Sequence, residues 1–529
     1  MDPREILKFC IERGLLLDEE VLKLFSETTD TDSAKLIIEK LKSSTQKRII
    51  TKETFEQNKE RVGEFFLTLP EENQKKLEKL KIKLGLHIEI SKEISRPTTV
   101  NISEGISEES GVRVLSKAPS FKKKAEVEDL VKNFRDRFCE LKYILQDHSE
   151  LDSPISINKL TMKRQGISII GIVADKRITK NGNMLLEVED LTGRVRVLIN
   201  SNKPELYEKA EDIAPDAVLG FKGFGDKEIL FVNDIIFPDS MLPERKKSPV
   251  EEYALFISDL QYGSKLFMEN SFLKFIDYMN GKIPNTPEVD KIKYLFIVGD
   301  LVSGVGVYPN QVKDLEITDI EEQYQSIAEI LSRIRKDINI IVSPGNHDGV
   351  RLMEPQPVLD EKYAWSLYDM KNIILTGNPA YVNIGARKNF SGFDVLTYHG
   401  YSLPYYANTI PRLVKKGLNA PEKIMEFLLK NRHLAPSYSS VHYLPAEEDE
   451  LIIKKIPDIL VSGHTHKCAL SYYNNVLVVS NSTWEQETEN QKHRGNKPDF
   501  CKVPMFNLNT RVMKILDFEE KENTPEKEE

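Results

Sequence analysis

Five short apolar runs between residues 253 and 463 constrain the fold of this chain more than any other feature of its sequence. The runs read YALFIS, YLFIVG, INIIVSPG, FDVLTY and DILVSG. Runs that are apolar on both faces are typical of strands covered on both sides of a sheet. Two segments whose apolar residues have helical spacing, 270–280 and 321–336, lie between the first three runs. We therefore predict a layered α/β domain, with hairpin turns near Asn474-Asn475 and Asn509-Thr510.

Each of these five predicted strands is followed by side chains that can bind a metal. In chain order they are Asp259, Asp300, Asn346 with His347, His399, and His464 with His466. Sites in open α/β sheets form outside the carboxyl ends of the strands, so these side chains can converge. A lone histidine or strand-end aspartate is usually a structural residue. A matched set at five strand ends indicates one site instead.

The mixture of carboxylate, amide and imidazole groups suits a pair of divalent metal ions. It favours Mn²⁺ or a similar ion over Ca²⁺, with Mg²⁺ as the alternative. Two ions about 3.5 to 4 Å apart clamp a phosphate and stabilise an in-line displacement. The set therefore predicts the hydrolysis of a phosphoester.

The motifs SDLQYGS, VGDLVSG, PGNHDG, YHGYS and SGHTHK resemble those of the calcineurin-type metallophosphoesterase superfamily. The similarity covers roughly residues 251–518. It implies a calcineurin-like two-metal phosphoesterase fold in which His347 protonates the leaving oxygen. The implied ligands are Asp259, Gln261 and His466 for one ion, Asn346, His399 and His464 for the other, and Asp300 as the bridge between them.

Two positions depart from the superfamily pattern. Gln261 stands where the first motif has histidine, and Ser303 stands where the second motif has another aspartate. An amide oxygen is a poorer ligand than imidazole for a transition-metal ion. Whether Gln261 binds an ion directly or through water stays open at this point.

Longer segments narrow the resemblance. GVGVYPNQ, PGNHDGVRLMEPQP, LLKNRHLAP and SNSTWEQETENQK are similar to the small subunit of the archaeal D-family DNA polymerase. That resemblance implies a 3′→5′ proofreading exonuclease that hydrolyses DNA at single-stranded or mismatched 3′ ends. It also implies a heterodimer or larger complex with a large catalytic polymerase subunit.

Two other functions stay in contention. One is a structural scaffold, as in eukaryotic polymerase B-subunits, which resemble this architecture but have lost the metal ligands; the retained site residues argue against it. The other is a free-standing phosphatase or phosphodiesterase. The segments that precede the phosphoesterase domain argue against that alternative.

Composition and periodicity divide the chain into five predicted segments. They are a helical N-terminal module (1–90), a disordered linker (91–124), a helix with an OB-fold barrel (125–248), the metallophosphoesterase domain (249–518) and a charged tail (519–529). The barrel is predicted from five short alternating strands between residues 166 and 237. Phe221, Lys222 and Phe224 are its candidates for binding single-stranded nucleic acid, but protein docking or a purely structural role of the barrel is favoured.

Charge and cysteine usage exclude other classes of protein. The net charge of −9 argues against holding nucleic acid by bulk electrostatics. The four cysteines lie far apart without a CxxC pair, which argues against a disulfide framework or a structural zinc site. No segment approaches the roughly 20 apolar residues of a membrane span, so we expect a soluble cytoplasmic protein without a membrane partner.

Overall fold

The computed structural model describes two compact units, Met1–Asn101 and Ile102–Glu529. The described residues are 3–12, 16–18, 21, 22, 38, 49, 50, 111–116, 125–151, 153–445, 448–488, 492 and 497–520. Within these ranges, no helix combines the length and apolar character that crossing a bilayer requires.

The described residues of the first unit include a helix near its start and a short pair of parallel strands. Helix α1 spans Pro3–Glu12, and strand β1 (Leu16–Leu17) pairs with β2 (Ile49–Ile50). The apolar spacing in the sequence predicts α1. Most of the predicted helical module, including its second stretch at 52–86, lies outside the described residues.

The second unit begins with a strand inside the predicted linker. Strand β3 (Val112–Val114) pairs antiparallel with a strand at Ala380–Ile384. The prediction of a disordered linker is therefore wrong for this part of 91–124; residues 91–110 and 117–124 lie outside the described residues. In this strand, which reads VRV, Val112 points into the core and only 4% of its surface is exposed. The prediction rested on the mostly polar composition of residues 91–124, and a strand of three residues changes that composition too little to be recognised.

A closed barrel of five strands follows helix α2 (Val127–Gln146). Its strands are β4 (Gln165–Ile178), β5 (Met184–Asp190), β6 (Gly193–Ile199), β7 (Val218–Gly225) and β8 (Ile229–Ile236), in the order β4-β5-β6-β8-β7. Helix α3 (Pro204–Glu211) lies between β6 and β7. Phe221 is fully buried in the barrel, whereas Phe224 is 50% exposed. The assignment of this barrel to the OB class stays a prediction.

The remaining eleven strands, together with β3, form two six-stranded sheets. The strands are β9 (Tyr253–Ile257), β10 (Ile292–Val298), β11 (Asn339–Ser343), β12 (Ile373–Leu375), β13 (Ala380–Ile384), β14 (Phe393–Thr397), β15 (Ile459–Ser462), β16 (Ala469–Tyr473), β17 (Val476–Ser480), β18 (Lys502–Asn507) and β19 (Met513–Asp517). The first sheet has the order β12-β11-β10-β9-β18-β19, and the second has the order β16-β17-β15-β14-β13-β3. Both predicted hairpins, β16–β17 and β18–β19, are confirmed.

Alternating side chains of the strands pack into two different apolar layers. Phe256 and Phe296 of the first sheet pack with Val395 and Val461 of the second, so the sheets lie face to face. Helices cover the outer faces; they are α4 (Glu269–Met279), α5 (Ile320–Leu331) and α6 (Glu361–Tyr368) on the first sheet, and α7 (Leu403–Thr409), α8 (Pro411–Val414) and α9 (Pro421–Asn431) on the second. Short 3₁₀ helices lie at Ile157–Lys159, Val289–Lys291, Gln311–Lys313, Gly417–Asn419 and Tyr438–Ser440. This sandwich confirms the layered α/β prediction.

Helix α5 ends earlier than the sequence predicts. The apolar spacing continues to residue 336, but the helix ends at Leu331. The hydroxyl of Ser332 donates a hydrogen bond to the carbonyl of Glu329 at 2.7 Å and so closes the last turn. Ile334 reaches the core from the following turn, which explains why the helical spacing persists beyond the helix.

The barrel and the sandwich share one core. A single apolar cluster runs from the barrel interior to helices α7 and α9. Asp212 beside the barrel forms ion pairs with Arg412 at 2.9 Å and with Lys430 at 2.7 Å. Arg137 of α2 is buried, donates to Asp449 at 2.6 Å and donates to the carbonyl of Pro436 at 2.8 Å. The described residues between 125 and 518 therefore form one packed body.

We predict that Arg137→Ala lowers the free energy of unfolding by about 3 to 5 kcal/mol, because it leaves the buried Asp449 carboxylate without its cation. Chemical denaturation of the full chain measures the change. Arg135→Ala is the matched control, because Arg135 is exposed on the same helix. Equal stability of the two variants would contradict the prediction.

Candidate metal centre

The ends of parallel strands from both sheets meet at one edge of the sandwich. Strands β9, β10 and β11 run parallel in the first sheet, as do β14 and β15 in the second. Gly299, after β10, has φ of +83°, and a Cβ there would lie 2.1 Å from Nδ1 of His399 after β14. Only glycine allows this approach without displacing the imidazole. The sheets can therefore bring their predicted site residues together.

One group of predicted ligands surrounds His399. Ligand atoms of Asp300, His399 and His464 all lie within 4.8 Å of one another. Nε2 of His399 lies 3.0 Å from Oδ1 of Asn346 and 3.4 Å from Oδ1 of Asp300. Its Nδ1 lies 3.1 Å from the carbonyl oxygen of Val298. A proton on Nδ1 would donate to that carbonyl, which leaves the lone pair of Nε2 directed into the group.

A second group of predicted ligands forms around Asp259. Its Oδ1 atom lies 3.3 Å from Nε2 of His466 and is buried without a hydrogen-bond partner. Its Oδ2 atom accepts from the backbone N–H of His464 at 2.9 Å and from the hydroxyl of Ser258. A buried carboxylate oxygen without a donor costs free energy unless a cation satisfies it.

Gln261 and Ser303, the two departures from the superfamily pattern, contact each other. The side-chain amide nitrogen of Gln261 donates to Oδ2 of Asp300 at 2.9 Å. The hydroxyl of Ser303 donates to the backbone carbonyl of Gln261 at 2.7 Å. The structure thus places Gln261 where it orients Asp300 between the two groups.

His347 occupies a different position from the other predicted site residues. Its Nδ1 lies 2.9 Å from the carbonyl oxygen of Ser303, and its Nε2 lies 4.0 Å from Oδ2 of Asp300. The side chain is 20% exposed and lines a cavity beside the two groups. When Nδ1 donates to Ser303, Nε2 is left to face a ligand in that cavity.

Opposite charges face each other in this buried site. Burial opposes the charged form of Asp300, but the imidazoles of His399 and His347 hold its pKa well below the usual range. Burial likewise opposes the charge on His399, yet Asp300 raises its pKa to about 10. Burial, together with the neighbouring His399, lowers the pKa of His464 to about 3. Among the described ion pairs, only imidazoles face Asp259 and Asp300.

This donor set fits divalent cations. The two buried carboxylates lack Lys or Arg partners in the described part of the chain, and imidazole nitrogens and an amide oxygen stand opposite them. Oxygen and nitrogen donors in this mixture suit Mn²⁺ and related ions.

Asp348 is a buried residue that orients the loops of the site and was not among the predicted site residues. Its carboxylate accepts from the backbone N–H groups of Gly345 at 2.8 Å and Leu301 at 3.2 Å, and from the hydroxyl of Tyr324 at 3.1 Å. Burial and the charge of Asp300 raise the pKa of Asp348 to about 6. The position of Asp348 in the motif PGNHDG, directly after His347, is the sequence feature that could have predicted its role in the site. Asp348 joins the loops that carry Asp300 and His347.

Several predicted site residues have strained backbones. Positive φ angles of 50° to 64° occur at Asp259, Gln261, Asp300, His464 and His466. Such conformations cost non-glycine residues about 1 to 3 kcal/mol each and cluster at functional sites. The surrounding hydrogen bonds therefore hold these side chains in position at a cost in stability.

Comparison with known proteins identifies similar sequences. The family of DNA polymerase alpha/epsilon B-subunits matches residues 254–469. The chain is 39% identical to the DNA polymerase II small subunit of Pyrococcus furiosus over 404 residues, which cover 74% of this chain and 64% of that protein. It is 37% identical to the corresponding subunit of Methanothermobacter thermautotrophicus, with 74% and 80% covered. For that of Thermoplasma acidophilum the identity is 33%, with 76% and 80% covered.

The fraction of each relative's length that this chain matches differs between the relatives. The chain spans less than two thirds of the Pyrococcus relatives but about four fifths of the other two.

We predict that Gln261→Ala weakens Mn²⁺ binding by about 10-fold to 100-fold, because outer partners of metal ligands contribute that much to affinity. Gln261→His should tighten binding, since imidazole is the better ligand. Isothermal titration calorimetry measures both effects. Gln325→Ala is the control, because Gln325 is exposed on α5. Unchanged affinity in both Gln261 variants would show that this residue serves neither as ligand nor as support.

Proposed function

The chain belongs to the family of archaeal DNA polymerase II small subunits, and on that premise we propose that it is a metal-dependent 3′→5′ exonuclease. In this proposal it proofreads DNA within a replicative polymerase complex and binds two divalent ions, Mn²⁺ or Mg²⁺. The observation that carries the proposal is the convergence of Asp300, His399 and His464 within 4.8 Å at the strand ends of two sheets.

The architecture supports this proposal. Two face-to-face sheets with helices outside and a polar centre at the strand ends are what a calcineurin-like phosphoesterase requires. One ion would be held by Asp259 and His466, with Gln261 beside it, and the other by Asn346, His399 and His464, with Asp300 between them. The five-stranded barrel is consistent with the predicted OB fold.

The residues of the chain divide the chemical work. When bound, the two ions would supply the charge that activates water and stabilises the phosphate during in-line displacement. Gln261 orients Asp300 through the 2.9 Å hydrogen bond. Ser303 fixes the ring of His347 through Nδ1, so Nε2 can deliver a proton to the O3′ atom that leaves.

One observation favours the scaffold function as a second candidate. Gln261 replaces an imidazole, and its amide nitrogen donates a hydrogen bond to Asp300, which leaves only the amide oxygen as a poorer ligand for an ion. A weaker ion site would leave a structural subunit with little nuclease activity. The remaining predicted ligands are all present and brought together, so we favour the exonuclease.

We predict that the purified chain with Mn²⁺ shortens single-stranded DNA from its 3′ end and that His347→Ala slows this reaction by about 10²-fold to 10⁴-fold. The variant should keep its metal content, because the ring of His347 is held by the carbonyl of Ser303, lines the cavity and lies 4.0 Å from Asp300 without being one of the implied ligands. Electrophoresis of 5′-labelled DNA and metal analysis measure the two properties. His148→Ala, outside the site, is the control.

Two outcomes would count against this assignment. Loss of metal in proportion to activity would make His347 a ligand. Absence of any release of nucleotides by the wild-type chain, both alone and with its polymerase partner, would leave the scaffold as the better account.

We also propose a large catalytic polymerase subunit as the partner, bound by the second compact unit. A chain lacking residues 1–101 should therefore still co-purify with that subunit, because the barrel and both sheets lie in Ile102–Glu529. Deletion to residue 124 is a poorer test, since it removes β3 and uncovers the edge of β13. If the chain without residues 1–101 folds but fails to co-purify, the first unit carries the contact.

A further inference from the structure

A cavity of about 210 Å³ adjoins the candidate metal centre. Gln261, His347 and His466 line the side next to the metal centre. The other walls come from outside the predicted site and include Ser264, Ser303, Tyr308, Gln311, Asp314 and Glu485. This volume suits a single nucleoside and is too small for several nucleotides of a DNA strand.

The loop that carries Tyr308 is fixed against His347. A Cβ at Gly304 would lie 2.1 Å from the backbone oxygen of His347, so the loop approaches closely. The side chain of Gln311 accepts from the N–H of Val307 at 2.8 Å and donates to the carbonyl of Ser303 at 2.8 Å. These bonds give the cavity a preformed wall.

Tyr308 places an aromatic ring beside the proposed general acid. Its ring and that of His347 are 6.4 Å apart, edge to face. Its hydroxyl donates to Oδ2 of Asp314 at 3.1 Å, which fixes the orientation of the ring. An aromatic ring held next to a phosphodiester site offers a surface on which a nucleobase can stack.

The cavity wall is acidic. Asp314 and Glu485 are its carboxylates, and no Lys or Arg occurs among its lining residues in the described part of the chain. Glu485 accepts a hydrogen bond from the hydroxyl of Ser264 at 2.5 Å. Carboxylates accept hydrogen bonds from hydroxyl and amino groups and repel phosphate.

We infer that this cavity is the subsite for the nucleoside at the 3′ end of the substrate strand. Tyr308 stacks on its base. Asp314 and Glu485 accept hydrogen bonds from its hydroxyl and amino groups and exclude a strand that ends in a 3′-phosphate. The inference rests on the proposed exonuclease function. It specifies that the DNA strand which the enzyme shortens ends in a 3′-hydroxyl.

Nucleotide binding tests the inference without requiring catalysis. Thymidine 5′-monophosphate and thymidine 3′,5′-bisphosphate are titrated into the Mn²⁺-loaded full chain in a calorimeter. The wild type should prefer the monophosphate by about five-fold or more, from repulsion between like charges. Asp314→Asn and Glu485→Gln should reduce that preference. Tyr308→Ala should weaken both ligands by about 5-fold to 150-fold, and Tyr308→Phe should recover most of the loss.

Matched controls and a parallel assay separate this inference from the proposed function. Tyr143→Ala and Glu329→Gln change exposed residues outside the cavity and should bind both nucleotides as the wild type does. Equal wild-type affinity for the two nucleotides would overturn the inference and requires no variant to fold. So would Tyr308 and Glu485 variants that fold and bind like the wild type. If the preference holds but DNA is not shortened, the exonuclease proposal fails, and the cavity remains a binding site for a nucleotide with a free 3′-hydroxyl.

Discussion

The contact between His399 of one sheet and the Gly299-Asp300 corner of the other holds the candidate centre together. The imidazole packs where a side chain at residue 299 would lie, and its Nε2 comes within 3.4 Å of Asp300. Because Asp300 also accepts a hydrogen bond from Gln261, this corner links both groups of predicted ligands. The packed apolar layer between the sheets holds the two strand ends at this separation.

The same arrangement is costly for folding. Two buried carboxylates face only imidazoles among the described ion pairs, and the left-handed backbone at Asp259 and Asp300 adds strain. Divalent ions would offset much of this cost, since binding to the folded state alone stabilises it. The shared core of barrel and sandwich, with the buried Arg137–Asp449 pair at its margin, supplies a rigid frame that can bear the strain.

The sequence predicts those parts of the molecule that depend on local patterns. Apolar runs predict β9, β10, β11, β14 and β15, and the polar residue after each run predicts which side chains meet. Strand β3 escapes prediction because it pairs with β13, more than 250 residues away, and its own signal is three residues long. The hydrogen bond from Gln261 to Asp300 and the cavity beside Tyr308 also depend on tertiary packing. No local periodicity encodes contacts of that kind.

Anomalous X-ray diffraction from crystals soaked in Mn²⁺ tests the central claim most directly, because it locates the ions themselves. The account predicts two peaks about 3.5 to 4 Å apart. One peak should lie beside Asp259 and His466, the other beside Asn346, His399 and His464, with Asp300 between them. A single peak, or peaks away from Asp300, would contradict the claim that these strand ends form a two-metal centre.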